Sequence, residues 1–192
     1  MSAREAILDA AAQVMREKGL ARATTKEIAR TAGYSEALLY KHFADKQEIY
    51  LAVLHERVGG LMDARELVGT GAVRENLVGL VVRLMAFYAQ SFPMSASIFS
   101  DRGLLASWRA SIEAKGGGPQ WPISALQGYL DGELGRGRIR PGTDVASIAT
   151  LLCGAAFQAA FLACFEGLGE VPRSHELATG LVDAALGDEA SG

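Results

Sequence analysis

The sequence predicts an all-α protein, on three grounds. Apolar residues recur at i, i+3, i+4 and i+7 along nearly all of its 192 residues, the period of an amphipathic helix. Capping residues and helix-stopping glycines or prolines fall at the breaks in that pattern. No run alternates apolar and polar residues as a half-buried strand does, and no internal repeat stands out.

In the first segment Ala3, Ile7, Ala10, Ala11, Val14 and Met15 share one face of a helix that ends at Gly19. Thr24 or Thr25 can cap the next helix, with Glu27 near capping-box distance, and this short helix reaches Ala32-Gly33. Ser35 caps a third, from Glu36 to about Phe43. Asp45 caps a fourth that carries Ile49, Leu51, Val53, Leu54 and Val58. Gly59-Gly60 and Gly69-Thr70-Gly71 loosen the chain between 59 and 71. The expected division is therefore a head over residues 1–46 and a body over 47–192, with the fourth helix shared by both.

Beyond that point, 73–92 reads as a strongly apolar helix stopped at Phe92-Pro93, because the residue before a proline disfavours the α region. A helical stretch at about 95–114 follows, then the loop Gly116-Gly117-Gly118-Pro119. Residues 120–135 read as a helix, 135–142 as a loop and 143–166 as a long helix. Val171-Pro172 separates these from a last helix near 174–187. Val145 to Phe165 is 21 residues without a charge, long enough to cross a bilayer. Ala and Gly fill much of it, Gln158 and two hydroxyls interrupt it, and no aromatic belt or basic cluster flanks it. A buried packing helix is expected there, and no membrane partner.

Composition is that of a globular chain, 49% apolar and 21% charged. The net charge of −3 divides as +1 over residues 1–50 (eight Lys/Arg, seven Asp/Glu) and −4 over 51–192 (eleven and fifteen). That asymmetry has the sign of a nucleic-acid-binding head on an acidic body. Residues 1–5 show no basic segment leading an apolar stretch, so a cytoplasmic location is expected. Cys153 and Cys164 lie eleven residues apart in a helical run, about 16 Å along its axis, too far for a disulfide. Buried thiols in a reducing compartment are expected.

Residues 25–43 are the most informative. Two short helices meeting at a sharp angle need a small residue at their approach (Ala29) and a turn residue tolerating positive φ (Gly33). They need inward apolar residues, here Ile28, Ala32, Leu39 and Phe43. Glu36, Ala37, Tyr40, Lys41 and His42 then fall on the outward side, as insertion into a major groove requires. Spacing alone also fits an αα-hairpin whose polar face is merely solvated.

Thr25, Ile28, Ala29, Ala32, Gly33, Ser35, Leu39, Tyr40, His42, Phe43 and Lys46, fixed over 22 residues and preceded by a helix ending in Gly19, resemble the signature of the tetracycline-repressor (TetR) family. The loop at 135–142 before the long apolar helix resembles the family less specifically. The resemblance implies about nine helices. Three N-terminal helices would read double-stranded operator DNA, and the last two would form a homodimer interface. By position, Thr25 and Lys26 would contact phosphates; Glu36, Ala37 and Lys41 would face base edges; Tyr40 and His42 would touch the backbone. Lys46 would hold a phosphate near the fourth helix N-terminus. The ring of Tyr34 is expected under the turn. Plainer readings stand beside these: Lys26 as a solvated lysine, Tyr40 as a core aromatic, His42 as a helix cap.

The body is rich in Met and aromatic residues. Met85, Tyr88, Phe92, Phe99, Trp108, Trp121, Tyr129, Phe157 and Phe161 are the candidate lining of an apolar pocket for a small hydrophobic or aromatic ligand. Phe157, Phe161 and Phe165 share one helix face, equally the pattern of a core or a dimer seam. His42, His55 and His175 stand outside any metal-ligand spacing, and no phosphate-binding glycine motif occurs. No enzyme chemistry, metal or cofactor is expected. The rival classes are a helical bundle that carries a hydrophobic ligand or acts as an enzyme without binding DNA, and a membrane-associated helical protein.

Overall fold

The computed structural model describes residues 2–58, 64–100 and 102–187. Among these residues nine α-helices and no strand occur: α1 (Ala3–Lys18), α2 (Thr25–Ala32), α3 (Glu36–His42), α4 (Lys46–Val53), α5 (Val73–Ser95), α6 (Arg102–Ala114), α7 (Trp121–Gly135), α8 (Val145–Phe165) and α9 (Ser174–Leu186). The all-α class is thus the one the chain adopts. Helix starts follow the capping residues. Ser2 and Glu5 form a reciprocal capping box on α1, and Thr24, Ser35 and Asp45 accept from the third backbone N–H beyond them, Asp45 at 2.8 Å.

Three expectations change. The helix expected to stop at Phe92 continues through Pro93 to Ser95. Proline lacks the N–H that would bond the Ala89 carbonyl, and the Cys164 thiol of α8 donates to that carbonyl instead, at 3.5 Å. The α-helical register of the fourth helix ends at Val53, and Leu54–Val58 winds as a π-helix. The stretch at 95–114 divides into a 3-10 turn, Ala96–Ser100, and α6. Gly59-Gly60 lies outside the described residues.

Contacts gather the chain into two compact units. Residues Met1–Gly59 and Gln90–Gly118 form the first, Gly60–Ala89 and Pro119–Gly192 the second. The head expected at 1–46 therefore sits inside a larger unit that takes in residues 90–118.

In the first unit α1 buries Ile7, Leu8, Ala11, Val14 and Met15, and α2, α3 and α4, which all contact α1, bury Ile28, Leu39, Ile49 and Val53. Each of the larger aliphatic side chains among them contributes about 1.5–3 kcal/mol of burial free energy. Trp108 of α6 meets Tyr50 of α4 edge-on, with ring centroids 5.5 Å apart. Burial pushes the Tyr50 hydroxyl up to about 12, against a hydrogen bond with Ser95 that lowers it.

In the second unit α5, α7, α8 and α9 enclose Leu77, Val81, Leu84, Leu126, Tyr129 and Leu152. The 3-10 turn Ala64–Leu67 and Val68 lie against a glycine-lined side of α7. A Cβ on Gly132 would stand 2.7 Å from a Val68 methyl, so only glycine fits there. Glu133, with no exposed surface, accepts from the Gly69 N–H at 2.9 Å and faces the Arg138 guanidinium at 3.3 Å. Arg138 also donates to the Gly71 carbonyl, closing a polar clasp over the turn. Two helical stretches, Val73–Ser100 and Val145–Phe165, are long and apolar enough to cross a membrane. α8 is not buried all round as expected. Ile148, Ala149, Leu152, Ala156 and Ala160 face the core, whereas Leu151, Phe157, Phe161, Leu162 and Phe165 are exposed.

Candidate nucleic-acid interface

Local chemistry places α2 and α3 at an angle. α2 closes in a left-handed Gly33 (φ 78°, ψ 22°), with the Tyr34 N–H bonding the Ala29 carbonyl at 2.9 Å and the Gly33 N–H that of Arg30 at 3.1 Å. A side chain at that φ would be strained, so the turn depends on glycine. Ser35 then starts α3, whose Leu39 is fully buried while the following Phe43 packs under the Arg4 guanidinium, 5.3 Å from the ring centre. Arg4 is also fixed by two bonds to Glu56, at 2.6 and 2.7 Å. Anchoring through Leu39 and Phe43 leaves the opposite face of α3 to solvent. Ala37, Tyr40, Lys41 and His42 are exposed there.

Thr25, Glu36 and Tyr40 form a connected group. The Thr25 hydroxyl donates to Glu36 Oε1 at 2.5 Å, and its oxygen lies 3.2 Å from the Tyr40 hydroxyl. A carboxylate only accepts, so Thr25 must be the donor to it, and Tyr40 donates to Thr25. Glu36 is half-buried and turned toward the start of α2, away from a free base-reading posture. Its carboxylate is held at the seam of α2 and α3 by the Thr25 hydroxyl.

Lys26 and Lys41 are exposed, and neither forms an ion pair among the described residues. Beside them Lys18 and Arg30 share the single carboxylate of Glu27, which leaves that group one positive charge in excess. Lys46 is placed otherwise than as a free cation. Its ammonium donates to the Leu20 and Ala23 carbonyls at 3.0 and 3.1 Å, with burial holding it below the ordinary lysine range. Two of its three donors therefore secure the α1–α2 turn. Tyr34 is 38% exposed, so its ring does not pack under the turn.

The nine residues expected around a ligand fall in both units. Phe92, Phe99 and Trp108 belong to the first, and Phe99 is 69% exposed. The other six belong to the second. Met85 and Tyr129 are fully buried core there, the Tyr129 hydroxyl reaching the Val73 carbonyl and pushed up to about 12 by burial. Tyr88 meets Phe157 edge-on at 5.3 Å, and Phe87 links Tyr88 to Trp121. Burial pushes the Tyr88 hydroxyl and the Cys153 thiol upward, the thiol to about 12. A hollow of about 490 Å³ is lined by Arg140, Thr143, Asp144, Ser147 and Ala184–Gly187, and none of these aromatics borders it.

Residues 7–53 match the family model "Bacterial regulatory proteins, tetR family". The regulator BetI of Rhizobium meliloti is 34% identical over 90 residues, 46% of this chain and 44% of that protein. The chain thus aligns with less than half the length of this relative. Across almost the whole chain the fold resembles solved regulators. The fatty acid degradation regulator FadR of Bacillus halodurans has a TM-score of 0.68 at 18% identity, covering 98% of this chain and 96% of that one. FadR of Bacillus subtilis, solved in complex with stearoyl-CoA, has a TM-score of 0.66 at 18% identity over 95% and 97%. These relatives are regulators rather than enzymes.

Proposed function

From the match of residues 7–53 to the tetR family model we propose that the chain is a transcriptional repressor that binds a palindromic operator as a homodimer. The observation that carries this reading is α3, anchored by Leu39 and Phe43 with Ala37, Tyr40, Lys41 and His42 turned to solvent. A short helix of that kind is a recognition element when its polar face enters a major groove. Lys41 and Ala37 face base edges; Thr25, Lys26, Tyr40 and His42 meet the sugar–phosphate backbone. Lys46 brings its third donor to a phosphate, and the Thr25 and Tyr40 hydroxyls exchange their bonds within the Glu36 group for bonds to phosphate oxygens.

A second copy covers the exposed apolar face of α8. Leu151, Phe157, Phe161, Leu162 and Phe165 stand exposed on one side of α8, and Leu177 of α9 is exposed as well; apolar surface of this extent is rarely left bare in soluble proteins. A hydrophobic or aromatic small molecule releases the DNA. This part is supported by the half-buried rings of Tyr88 and Trp121, and by the stearoyl-CoA bound to the Bacillus subtilis neighbour. A soluble, cytoplasmic regulator follows from the same reading.

Titration of a palindromic duplex selected from random DNA, followed by fluorescence anisotropy at several salt concentrations, tests it. Saturable binding by two chains, with log Kd rising steeply with log salt, is expected. Binding that is absent, or equal on any duplex, would overturn it.

A further inference from the structure

The turn between α1 and α2 is fixed from two sides, on one by Lys46 and on the other by residues that the DNA contacts do not include. Its carbonyls at Leu20 and Ala23 are held by Lys46. Its N–H groups point elsewhere. The Leu20 N–H donates to the Met94 carbonyl at 2.6 Å, and the Ala21 N–H to the Ser97 hydroxyl at 3.0 Å. Met94 lies in the last turn of α5, where carbonyls have no partner within the helix, and Ser97 lies in the 3-10 turn that follows.

The seat of Ser97 is made by Gly19. A Cβ there would stand 2.7 Å from the Ser97 Oγ, and Gly19 has φ +74°, so this position needs glycine for space and for conformation. Two consecutive amides and a glycine hollow therefore receive one short segment of chain. The same turn leads directly into Thr24 and Thr25, the cap and first residue of α2. It is also tied through Lys46 to the helix after the recognition helix. Residues 94–97 are the continuation of α5, a helix whose earlier residues, Val73 to Ala89, belong to the second compact unit.

We propose that Ser97 is a positioning residue for DNA reading, its hydroxyl and the Met94 carbonyl forming a strap that sets the tilt of α2 and α3 on the end of α5. The role rests on the DNA-reading proposal above and extends it to a residue that touches no DNA. Half-sites on a duplex stand at fixed separation, so two heads held at one tilt accept one spacing. Heads released from the strap accept several, each less tightly. Phosphate contacts are unchanged by this release, so the number of counterions displaced stays the same.

The test compares the full chain with Ser97→Ala and Ser97→Thr, which keeps the hydroxyl. Probes are the duplex selected by the unaltered chain and two versions with half-sites moved one base pair closer or farther. For Ser97→Ala we expect affinity for the selected duplex to fall about tenfold, the worth of one hydrogen bond and its unpaired amide. Preference among the three spacings should flatten and the salt slope stay constant, with Ser97→Thr restoring the preference. Exchange of the Ala21 amide with solvent should speed up in Ser97→Ala alone. An alanine variant that binds less tightly but keeps the original spacing preference would overturn the strap, because lost stability alone lowers affinity without changing geometry. Failure of the unaltered chain to select any duplex would overturn the DNA-reading proposal, and the strap's role with it.

Discussion

Replacing Lys46 with methionine keeps the length and apolar stem of the side chain and deletes both ammonium–carbonyl bonds, at 3.0 and 3.1 Å. A hydrogen bond from a charged donor nets about 1.5–3 kcal/mol when well shielded. This side chain is only half-buried, and methionine also relieves the burial of a charge, so the pair together is worth about 2 kcal/mol. For a chain of this size that lowers Tm by about 4–8 °C. The pH dependence carries a sign. Burial holds the Lys46 pKa below 10.5, so just below that pH the unfolded chain binds more protons than the folded one. Stability from this group therefore rises as pH climbs through its folded pKa toward 10.5, and the methionine variant lacks that rise. Thermal melts followed by circular dichroism at neutral and alkaline pH read both effects. A Tm within about 1 °C of the parent would show that the two ammonium–carbonyl bonds add no stability, since even one such bond shifts it further. Anisotropy on the same variant reads the third donor: loss of a phosphate contact lowers the salt slope by about one.

Four further changes probe other parts of the molecule. Gly132→Ala should destabilise the chain by about 1–3 kcal/mol in urea unfolding, because the new methyl meets Val68, and Val68→Ala should recover part of that loss. Asp45 is penalised by burial but held net below 3.8 by the Glu48 amide and Lys115, so its stabilisation is lost as pH falls through that depressed value. Acid unfolding of Asp45→Asn should accordingly lack the component below pH 3.8 that the parent shows. Phe165→Glu places a charge on a side chain 82% exposed, and should convert dimer to folded monomer in sedimentation equilibrium. Lys41→Ala should change which base pairs are preferred at one operator position; equal loss on every operator would remove it from base reading.

Features decided by neighbours in sequence were legible, and those decided by distant contacts were not. The caps at Thr24, Ser35 and Asp45 and the Gly33 turn depend on bonds spanning three to five residues, so residue type and spacing sufficed to place α2, α3 and α4. Pro93 misled because the bond its ring removes is replaced by Cys164, 75 residues from the carbonyl it serves. Lys46 fits the family signature as a phosphate holder, yet its carbonyl partners are 23 and 26 residues away and carry no sequence signal. Ser97 was not singled out at all, since one serine in an apolar stretch looks like any other until Gly19 is brought against it. The aromatic body is the weakest case for sequence reasoning. Met85, buried core, and Phe99, open to solvent, are equally apolar in the sequence, and only packing separates them.

The central claim is that α3 reads duplex DNA in a dimer of this chain. Selection from a random double-stranded library, with the unaltered chain and Lys41→Ala carried in parallel, tests it most directly. Enrichment of a palindrome whose half-sites lie one helical turn apart, about 34–36 Å, is expected, with the variant enriching an altered half-site at the same spacing. Recovery of no common site, or of one indistinguishable site with both proteins, would contradict it.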